Sequence, residues 1–351
     1  MSDLQVISSN SAAAANLLNN GSRYVINEKT GEPVIDPITG HLKIITSRGL
    51  TVNSALRRLE WEELDQAIVQ AAVAPLNMTQ RMITAGLTRP LGSLGTLIAQ
   101  YNQISEMTAA NVSLSGNGSG QKDRVDYDLV GVPVPVIFKE FELNQRYLEA
   151  SRRLGDGIDT SNGAAAARVV GEKVEDLLIN GDSTINLNGN TIYGLTSHPD
   201  RNTDTASGVG GGDFGTISNI VPTFSGILSA LKADNYRGPY GVFVADTQYD
   251  QMAMSFYTDG SGQSALNRVL QIPQIQFVDS SAWLDAGEVV VVHLSRDVVE
   301  LAYVQQYWPI TNLEWTSGDG MASNFKVMTV FAPMVKSDYA GRSGVFHCTG
   351  A

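Results

Sequence analysis

The chain has 351 residues, which is enough to bury about three quarters of its unfolded surface. We therefore expect one large or two modest domains whose core needs no disulfide or metal to hold it together. The 36 acidic and 24 basic side chains give a net charge of -12, which disfavours direct binding to nucleic-acid phosphates. The single Cys348 excludes an intrachain disulfide and supports no zinc site. No apolar run approaches the roughly 18 residues of a membrane span, and the opening residues lack a basic signal-peptide region. We therefore expect a soluble protein that is not exported.

Residues 1–52 predict an N-terminal arm. The segment is polar and interrupted by glycine and proline, and its first 50 residues carry four acidic and four basic side chains, so it is not a basic nucleic-acid tail. Such an arm has little core of its own, and is either disordered or ordered by lying on neighbours. Asn53 is expected to cap the following helix, which Pro75 ends.

Residues 91–140 predict a long β-hairpin. One strand is expected to run through Val112 and Leu114, and the other to return through Tyr127. The stretch between them, residues 115–121, is rich in glycine and serine and is expected to form a flexible tip.

The sequence VPVPVIFKEFEL follows. Pro133 and Pro135 lack a backbone N–H, so this segment cannot be a central strand paired on both sides, and we expect an edge strand or a freestanding ribbon. Alternating apolar residues place one stripe on a single face: Val132, Val134, Val136 and Phe138. The cover for this stripe must come from elsewhere in the fold or from a neighbouring subunit.

An amphipathic helix is predicted from Ser161, which can cap it, to a left-handed stop at Asn180 and Gly181. Its apolar residues fall at helical spacing and mark the buried face: Ala166, Val170, Val174, Leu177 and Leu178. The charged residues are expected on the outer, solvated face: Arg168, Glu172, Glu175 and Asp176.

The region from 216 to 300 alternates predicted helices with predicted strands. A long strand, Phe325–Lys336, is expected after it and to return to the sheet beneath the helix that starts at Ser161. The predicted fold class is therefore mixed α+β, with domains that are discontinuous in sequence.

The order of these segments resembles a known family. The extended segment is followed by FELNQRYLEASRR, by a helix ending in EKVEDLLINGD and by a polar loop leading to IYGLT. This order is similar to that of encapsulins and of the major capsid proteins of tailed bacteriophages, which share the Hong Kong 97 capsid fold. Upstream, LRRLEWEELD is similar to the family's first helix, and downstream, the turn RGPY and the strand from Val242 to Ala245 resemble its apical domain.

The resemblance implies a Hong Kong 97-type fold with an N-terminal arm, an extended loop, a spine helix, and peripheral and apical domains. The corresponding boundaries are an arm at 1–52, a helical segment at 53–90, the extended-loop hairpin at 91–140, the spine helix and peripheral domain at 141–215, the apical domain at 216–300, and peripheral return strands at 301–351.

The resemblance also implies a structural subunit that assembles as pentamers and hexamers into an icosahedral shell around the double-stranded DNA of a tailed bacteriophage. Separate scaffolding, portal and decoration proteins are possible partners; DNA would be enclosed without sequence-specific binding, and no membrane is involved. The shell would assemble in the bacterial host cytoplasm and persist as the virion capsid. An encapsulin shell around enzyme cargo is the alternative, but the long arm and long hairpin favour the phage.

In this family the extended loop lies across a neighbouring subunit. The candidate inter-subunit contacts are therefore the charged residues of the returning hairpin segment: Lys122, Asp123, Arg124, Asp126 and Asp128. For each of them, a solvated charged turn is the competing interpretation. Some relatives crosslink a loop lysine to an asparagine, and Lys122 and Asn324 are conceivable partners, although a lysine exposed for solubility is favoured.

No pattern in the sequence assigns a catalytic, cofactor-binding or metal-binding residue. Gly210, Gly212 and Gly215 spell GxGxxG, but no strand precedes them, so a flexible loop is favoured over a dinucleotide site. The four histidines lack metal-ligand spacing. A soluble mixed α/β enzyme remains a third hypothesis, and it predicts a discrete small oligomer with a polar pocket.

Overall fold

The computed structural model describes residues 58–73, 76–110, 112, 114, 122–154, 160–258, 262–305, 308, 312–319 and 322–351. The predicted arm, the Asn53 cap and the hairpin tip at 115–121 lie outside these residues. Glu62–Ala351 form one compact unit, which carries the features described below.

The described helices are α1 Arg58–Val73, α2 Asn77–Thr84, α3 Gln145–Leu154, α4 Ser161–Ile179, α5 Ile217–Ala233, α6 Asp246–Met254 and α7 Ala265–Leu270. The described strands are β1 Thr88–Leu91, β2 Ile98–Ile104, β3 Tyr127–Pro133, β4 Val136–Asn144, β5 Gly181–Leu187, β6 Asn190–Tyr193, β7 Asn202–Thr205, β8 Tyr240–Ala245, β9 Ile275–Ser281, β10 Val289–His293, β11 Val299–Val304, β12 Asn312–Asp319, β13 Ala322–Val335 and β14 Val345–Thr349.

The first sheet is organised around the long strand β13. Strands run in the order β1, β11, β13, β12, and β4 also pairs with β13 in an antiparallel register from Val136 opposite Val330 to Asn144 opposite Ala322. The spine helix α4 packs on β4 and β13. The predicted long return strand therefore forms, and it pairs with the extended segment that precedes the spine helix.

The spine helix α4 begins and ends close to its predicted limits. Ser161 is its first residue, and Thr160 occupies the cap position without a side-chain hydrogen bond, so the predicted Ser161 cap is wrong by one residue. Gly181 follows the helix with φ +71°, and a Cβ there would lie 2.5 Å from the Ile192 carbonyl oxygen. Only glycine fits this left-handed turn, which confirms the predicted stop.

The second sheet has the order β7, β14, β10, β8, β9. Its central strands β8 and β10 are buried along nearly their whole length, as continuous apolar runs in covered sheets are. Helices α5, α6 and α7 supply the rest of this core through residues such as Phe224 and Met252.

Two strands lie in the second sheet although the predicted domain boundaries at 215 and 301 placed them outside the apical domain. β14 lies in the second sheet, where it pairs with β10 and β7, although residues 301–351 were expected to return to the peripheral domain. β7 lies in the second sheet too, upstream of the predicted start at 216. The buried run Val345–Cys348 requires partners on both edges, and the local pattern does not show which sheet supplies them.

The two prolines occupy the positions that their missing N–H groups allow. Pro133 ends β3 in a two-stranded sheet with β2, and Pro135 lies between β3 and β4. In the described part of the chain β4 pairs with β13 alone. The predicted edge character of this segment is confirmed.

Candidate inter-subunit surface

Strands β2 and β3 form an antiparallel hairpin, with Ile98 opposite Pro133 and Ile104 opposite Tyr127. One more backbone hydrogen bond, from Ser105 N–H to the Asp126 carbonyl, closes the ladder at 3.0 Å. Val112 and Leu114 are exposed and lie outside any strand, so the prediction that the first strand runs through them is wrong.

Where the hydrogen-bond ladder ends, side-chain oxygens accept hydrogen bonds from the backbone N–H groups. The Asp123 carboxylate accepts hydrogen bonds from the backbone N–H of Thr108 at 2.6 Å and of Arg124 at 2.8 Å. The Ser105 hydroxyl accepts one from the Asp126 N–H at 2.9 Å. Aspartate and serine compete with sheet formation in this way, which accounts for the short strands.

The inner face of the hairpin packs on the first sheet. Ala99, Tyr101 and Val132 are buried there together with Val134. Their partners on the first sheet are apolar residues of β11 and β13: Ala302, Val304, Met328, Val330, Ala332 and Met334. The hairpin is thus anchored to its own subunit through this face.

The opposite face, here called the outer hairpin face, consists of Ile104, Tyr127 and Leu129. Ile104 lies directly opposite Tyr127, and Leu129 is the next residue of β3 on that side. Their exposed fractions are 50%, 67% and 57%. Three large apolar side chains on one exposed strand surface are typical of a binding surface rather than of a solvated turn.

The apolar stripe of the proline segment is covered only in part. Val132 and Val134 are buried by the subunit's own core, whereas Val136 and Phe138 are exposed. The Lys326 ammonium lies 3.9 Å from the centre of the Phe138 ring. The first half of the stripe thus finds its cover within the fold, and the second half remains open.

The five predicted contact residues occupy one short exposed segment. Lys122, Asp123, Arg124, Asp126 and Asp128 are all exposed. Asp123 differs from the others because its two backbone hydrogen bonds brace the loop, and these bonds lower the pKa of its carboxyl group. Asp128 accepts a hydrogen bond from the Leu129 N–H at 2.9 Å.

The far end of the paired hairpin strands, beyond Asn102 and Leu129, is held by a polar network that the sequence did not reveal. Gln103 Nε2 donates to Ser337 Oγ at 2.7 Å, and that hydroxyl donates to the Asp200 carboxylate at 2.7 Å. Glu106 forms an ion pair of 2.9 Å with Arg342. The network lies beside a cleft of about 160 Å³ that His198 also lines. These residues are too far apart in sequence for any local pattern to join them.

The described residues do not bring the remaining candidate chemistry together. The expectation that no strand precedes the glycine-rich stretch is wrong, because β7 ends at Thr205. The stretch packs on α5, where a Cβ on Gly211 would lie 1.8 Å from the Thr223 hydroxyl. Among the residues described, no group of three or more His, Cys, Asp or Glu side chains could hold a metal ion, and no helix is long and apolar enough to cross a membrane. His41 lies outside the described residues.

Solved structures share this architecture. The virus-like particle from Pyrococcus furiosus aligns with a TM-score of 0.57 at 14% identity, covering 82% of this chain and 98% of that chain. The capsid of Myoviridae phage XM1 aligns with a TM-score of 0.58 at 14% identity, covering 77% of this chain and 91% of that chain. The chain thus has the Hong Kong 97-type capsid fold, which confirms the expected fold class.

This fold is the one found in capsid and shell-forming proteins among the solved structures. The chain belongs to a family described as "Family of unknown function (DUF6260)", whose model matches residues 51–348. It is also 25% identical over 256 residues to the type 1 encapsulin shell protein EncA of Myxococcus xanthus, a match that covers 70% of this chain and 80% of that protein.

Proposed function

We propose that this chain is the major capsid protein of a tailed bacteriophage, a structural subunit that assembles into an icosahedral shell around double-stranded DNA. The observation that carries the proposal is the hairpin, which is anchored by its inner face and leaves Ile104, Tyr127 and Leu129 uncovered. In this proposal the outer hairpin face packs on a second copy of the chain.

The energetics favour such a contact. Complete burial of a fully exposed large apolar side chain contributes about 1.5–3 kcal/mol, and each of these three, already partly covered, supplies roughly half of that to a contact between subunits. Each subunit in a closed shell makes this contact once as donor and once as acceptor. Weak contacts repeated around a shell reinforce one another through effective concentration.

The charged residues beside the outer hairpin face form the rim of the proposed contact. Lys122, Arg124, Asp126 and Asp128 are the candidates for ion pairs with the neighbouring subunit, while Asp123 mainly braces the loop. Rim charges set the rate and the specificity of association more than its affinity. The first sheet with the spine helix is assigned to the peripheral domain, and the second sheet to the apical domain.

The acidic composition is compatible with a wall around DNA. A net charge of -12 repels phosphates, so the inner surface would not hold the genome during filling. The DNA is therefore enclosed without sequence-specific binding. Pentamers and hexamers of this chain form the shell, with scaffolding, portal and decoration functions supplied by other proteins of the virion.

An encapsulin shell around protein cargo is the second candidate, favoured by the similarity to EncA. We favour the phage capsid because 50 residues precede the family match at residue 51, whereas the resemblance implies that encapsulins begin near the first helix. The two proposals share the same shell and differ in its contents.

Electron microscopy of the full-length chain, expressed alone or with its neighbouring genes, tests the proposal in two steps. Closed icosahedral particles are expected, and a discrete monomer or small oligomer under all assembly conditions would contradict both shell functions. Particles from the natural producer are then treated with nuclease. Protected genome-length DNA supports the phage capsid, whereas a defined protein cargo without DNA supports the encapsulin shell.

A further inference from the structure

Glu175 of the spine helix is buried, although its charge predicts the solvated face. Its side chain is only 1% exposed, and its Oε1 accepts a hydrogen bond of 3.0 Å from the backbone N–H of Thr79. Thr79 lies in the first turn of α2, where backbone N–H groups lack partners within the helix. Glu175 therefore caps α2 from a neighbouring helix 96 residues away in sequence.

The cap is incomplete. Glu175 Oε2 and the Thr79 hydroxyl oxygen are both buried without a hydrogen-bond partner in the described structure. An ionised carboxylate with one unpartnered buried oxygen is costly, whereas a protonated carboxyl group tolerates the same position better. The site thus favours the protonated, neutral form of Glu175 over the ionised form.

Helix α2 also contacts the second sheet. Arg81 binds Asp279 of β9 through two atoms, with Nε to Oδ2 at 2.5 Å and NH2 to Oδ1 at 3.1 Å. The Arg81 guanidinium lies 5.5 Å from the centre of the Phe277 ring on the same strand. Since β9 is an edge strand of the second sheet, α2 connects that sheet to the spine helix.

A cleft of about 280 Å³ adjoins the carboxyl group, lined by Asn77, Glu172, Glu175 and residues 281–283. Besides Glu175, the charged residue that lines it is Glu172; α4 itself and the elements that pack on it carry further charges: Arg168, Lys173, Asp176, Arg81, Lys139, Glu140, Glu142, Lys326 and Asp182. Arg168 binds Glu172, Lys173 binds Asp176, and Arg81 binds Asp279. In the described part of the chain, none of these charges shifts the pKa of Glu175.

We propose that Glu175 is a proton-controlled lock, which in its protonated state seats α2 on the spine helix and thereby holds the edge of the second sheet. This role is independent of what the shell encloses. Burial raises the pKa of Glu175 to about 7, against the opposing hydrogen bond from the Thr79 N–H.

The raised pKa fixes how the stability of the locked state depends on pH. A carboxyl group whose pKa is higher in the locked state than in the open state stabilises the lock fully below its ordinary pKa of 4.5. This contribution is lost as the pH rises from there to about 7, and it stays lost above that pH. Ionisation then favours states in which water reaches the carboxylate through the adjoining cleft.

Hydrogen exchange of the full-length wild-type protein between pH 4.5 and 8, corrected for the intrinsic exchange rate, tests the lock. Protection of Asn77–Thr84 is expected to fall by up to about tenfold per pH unit to pH 7 and then to level off. Protection of Ile275–Ser281 is expected to fall in parallel. If α2 responds and β9 does not, the connection to the second sheet is wrong.

Two variants test whether Glu175 is the residue that causes the pH dependence of protection. Glu175→Gln keeps the side-chain shape and an acceptor for the Thr79 N–H but does not titrate, so its profile is expected to be flat. Glu172→Gln, on the same helix and partly exposed, is the matched control and is expected to keep the wild-type slope. A wild-type slope in Glu175→Gln overturns the proposal. If that variant does not fold, a flat wild-type profile overturns it equally.

Discussion

Gln103 Nε2 donates a hydrogen bond of 2.7 Å to the hydroxyl of Ser337, a residue 234 positions later in the chain. Through this bond the first strand of the hairpin is tied to the segment that follows β13. Ser337 in turn donates a hydrogen bond to Asp200, and the Glu106–Arg342 ion pair holds the chain just beyond this strand. The far end of the paired hairpin strands is therefore held to the subunit by polar contacts as well as by the apolar inner face of the hairpin.

Ser337→Ala is expected to weaken the attachment of the far end of the hairpin strands. The substitution leaves Gln103 and Asp200 without their shared partner, and loss of a partly buried hydrogen bond costs about 0.5–1.5 kcal/mol. Urea denaturation of the unassembled subunit measures the change. Ser218→Ala, at an exposed serine of α5, is the control and is expected to change stability by less than about 0.5 kcal/mol. Equal stability of the two variants would contradict the role of Ser337.

Tyr127→Ser is expected to reduce shell assembly while the subunit stays folded. The substitution removes the largest side chain of the outer hairpin face, which the subunit's own core does not use. Light scattering follows assembly, and circular dichroism checks folding. Tyr147→Ser is a matched control, because Tyr147 is 78% exposed against 67% for Tyr127 and lies on α3, outside the hairpin strands. Similar assembly of the two variants would show that the outer hairpin face makes no contact between subunits.

Arg124→Glu is expected to slow assembly at low ionic strength. If Arg124 lies at the rim of the contact, charge reversal replaces an attraction by a repulsion, and this effect is screened at about 1 M salt, where the Debye length is about 3 Å. Assembly rates at low and high salt give the comparison. Lys232→Glu on α5 makes the same charge change outside the hairpin. A rate that is reduced equally in both variants would reflect net charge alone.

Deletion of residues 1–50 is expected to impair shell formation or shell stability more than folding. The sequence predicts an arm interrupted by glycine and proline, and in the proposed capsid this arm acts by lying on neighbouring subunits. Subunit melting and particle yield are compared for the full and the truncated chain. Shells of normal yield and stability from the truncated chain would remove the arm from the assembly mechanism.

Denaturing gels of assembled particles are expected to show one band near 37.6 kDa. Lys122 is exposed, and solubility accounts for an exposed lysine without a covalent bond to Asn324. A ladder of oligomers that disappears in Lys122→Arg would instead establish crosslinking through this lysine. A ladder that persists in that variant would place the crosslink elsewhere.

The local features of the chain were predictable because they depend on neighbours in sequence. The apolar spacing of the spine helix marked its buried side, and Gly181 marked its end because the turn there requires positive φ. Pro133 and Pro135 predicted an edge strand, because proline has no backbone N–H with which to pair a strand on its second side. The order of these segments was sufficient to predict the capsid fold.

The same rules were wrong where a residue has a partner far away in the chain. The charge of Glu175 predicts solvent, but α2 covers that side of the helix and supplies a backbone donor. Val112 and Leu114 suit a strand, yet Asp123 and Ser105 bind the backbone donors near the point where the strands separate. In each case the competing partner outweighed the local preference.

The sequence by itself determined the spine helix, the long return strand and the edge character of the proline segment, because hydrophobic period, proline and glycine act within a few residues. Only the tertiary structure decided that β14 joins the second sheet, that Ser337 holds the far end of the hairpin strands, and that the outer hairpin face stays open. Burial depends on what packs against a surface, and that partner is chosen by contacts between segments that can be hundreds of residues apart.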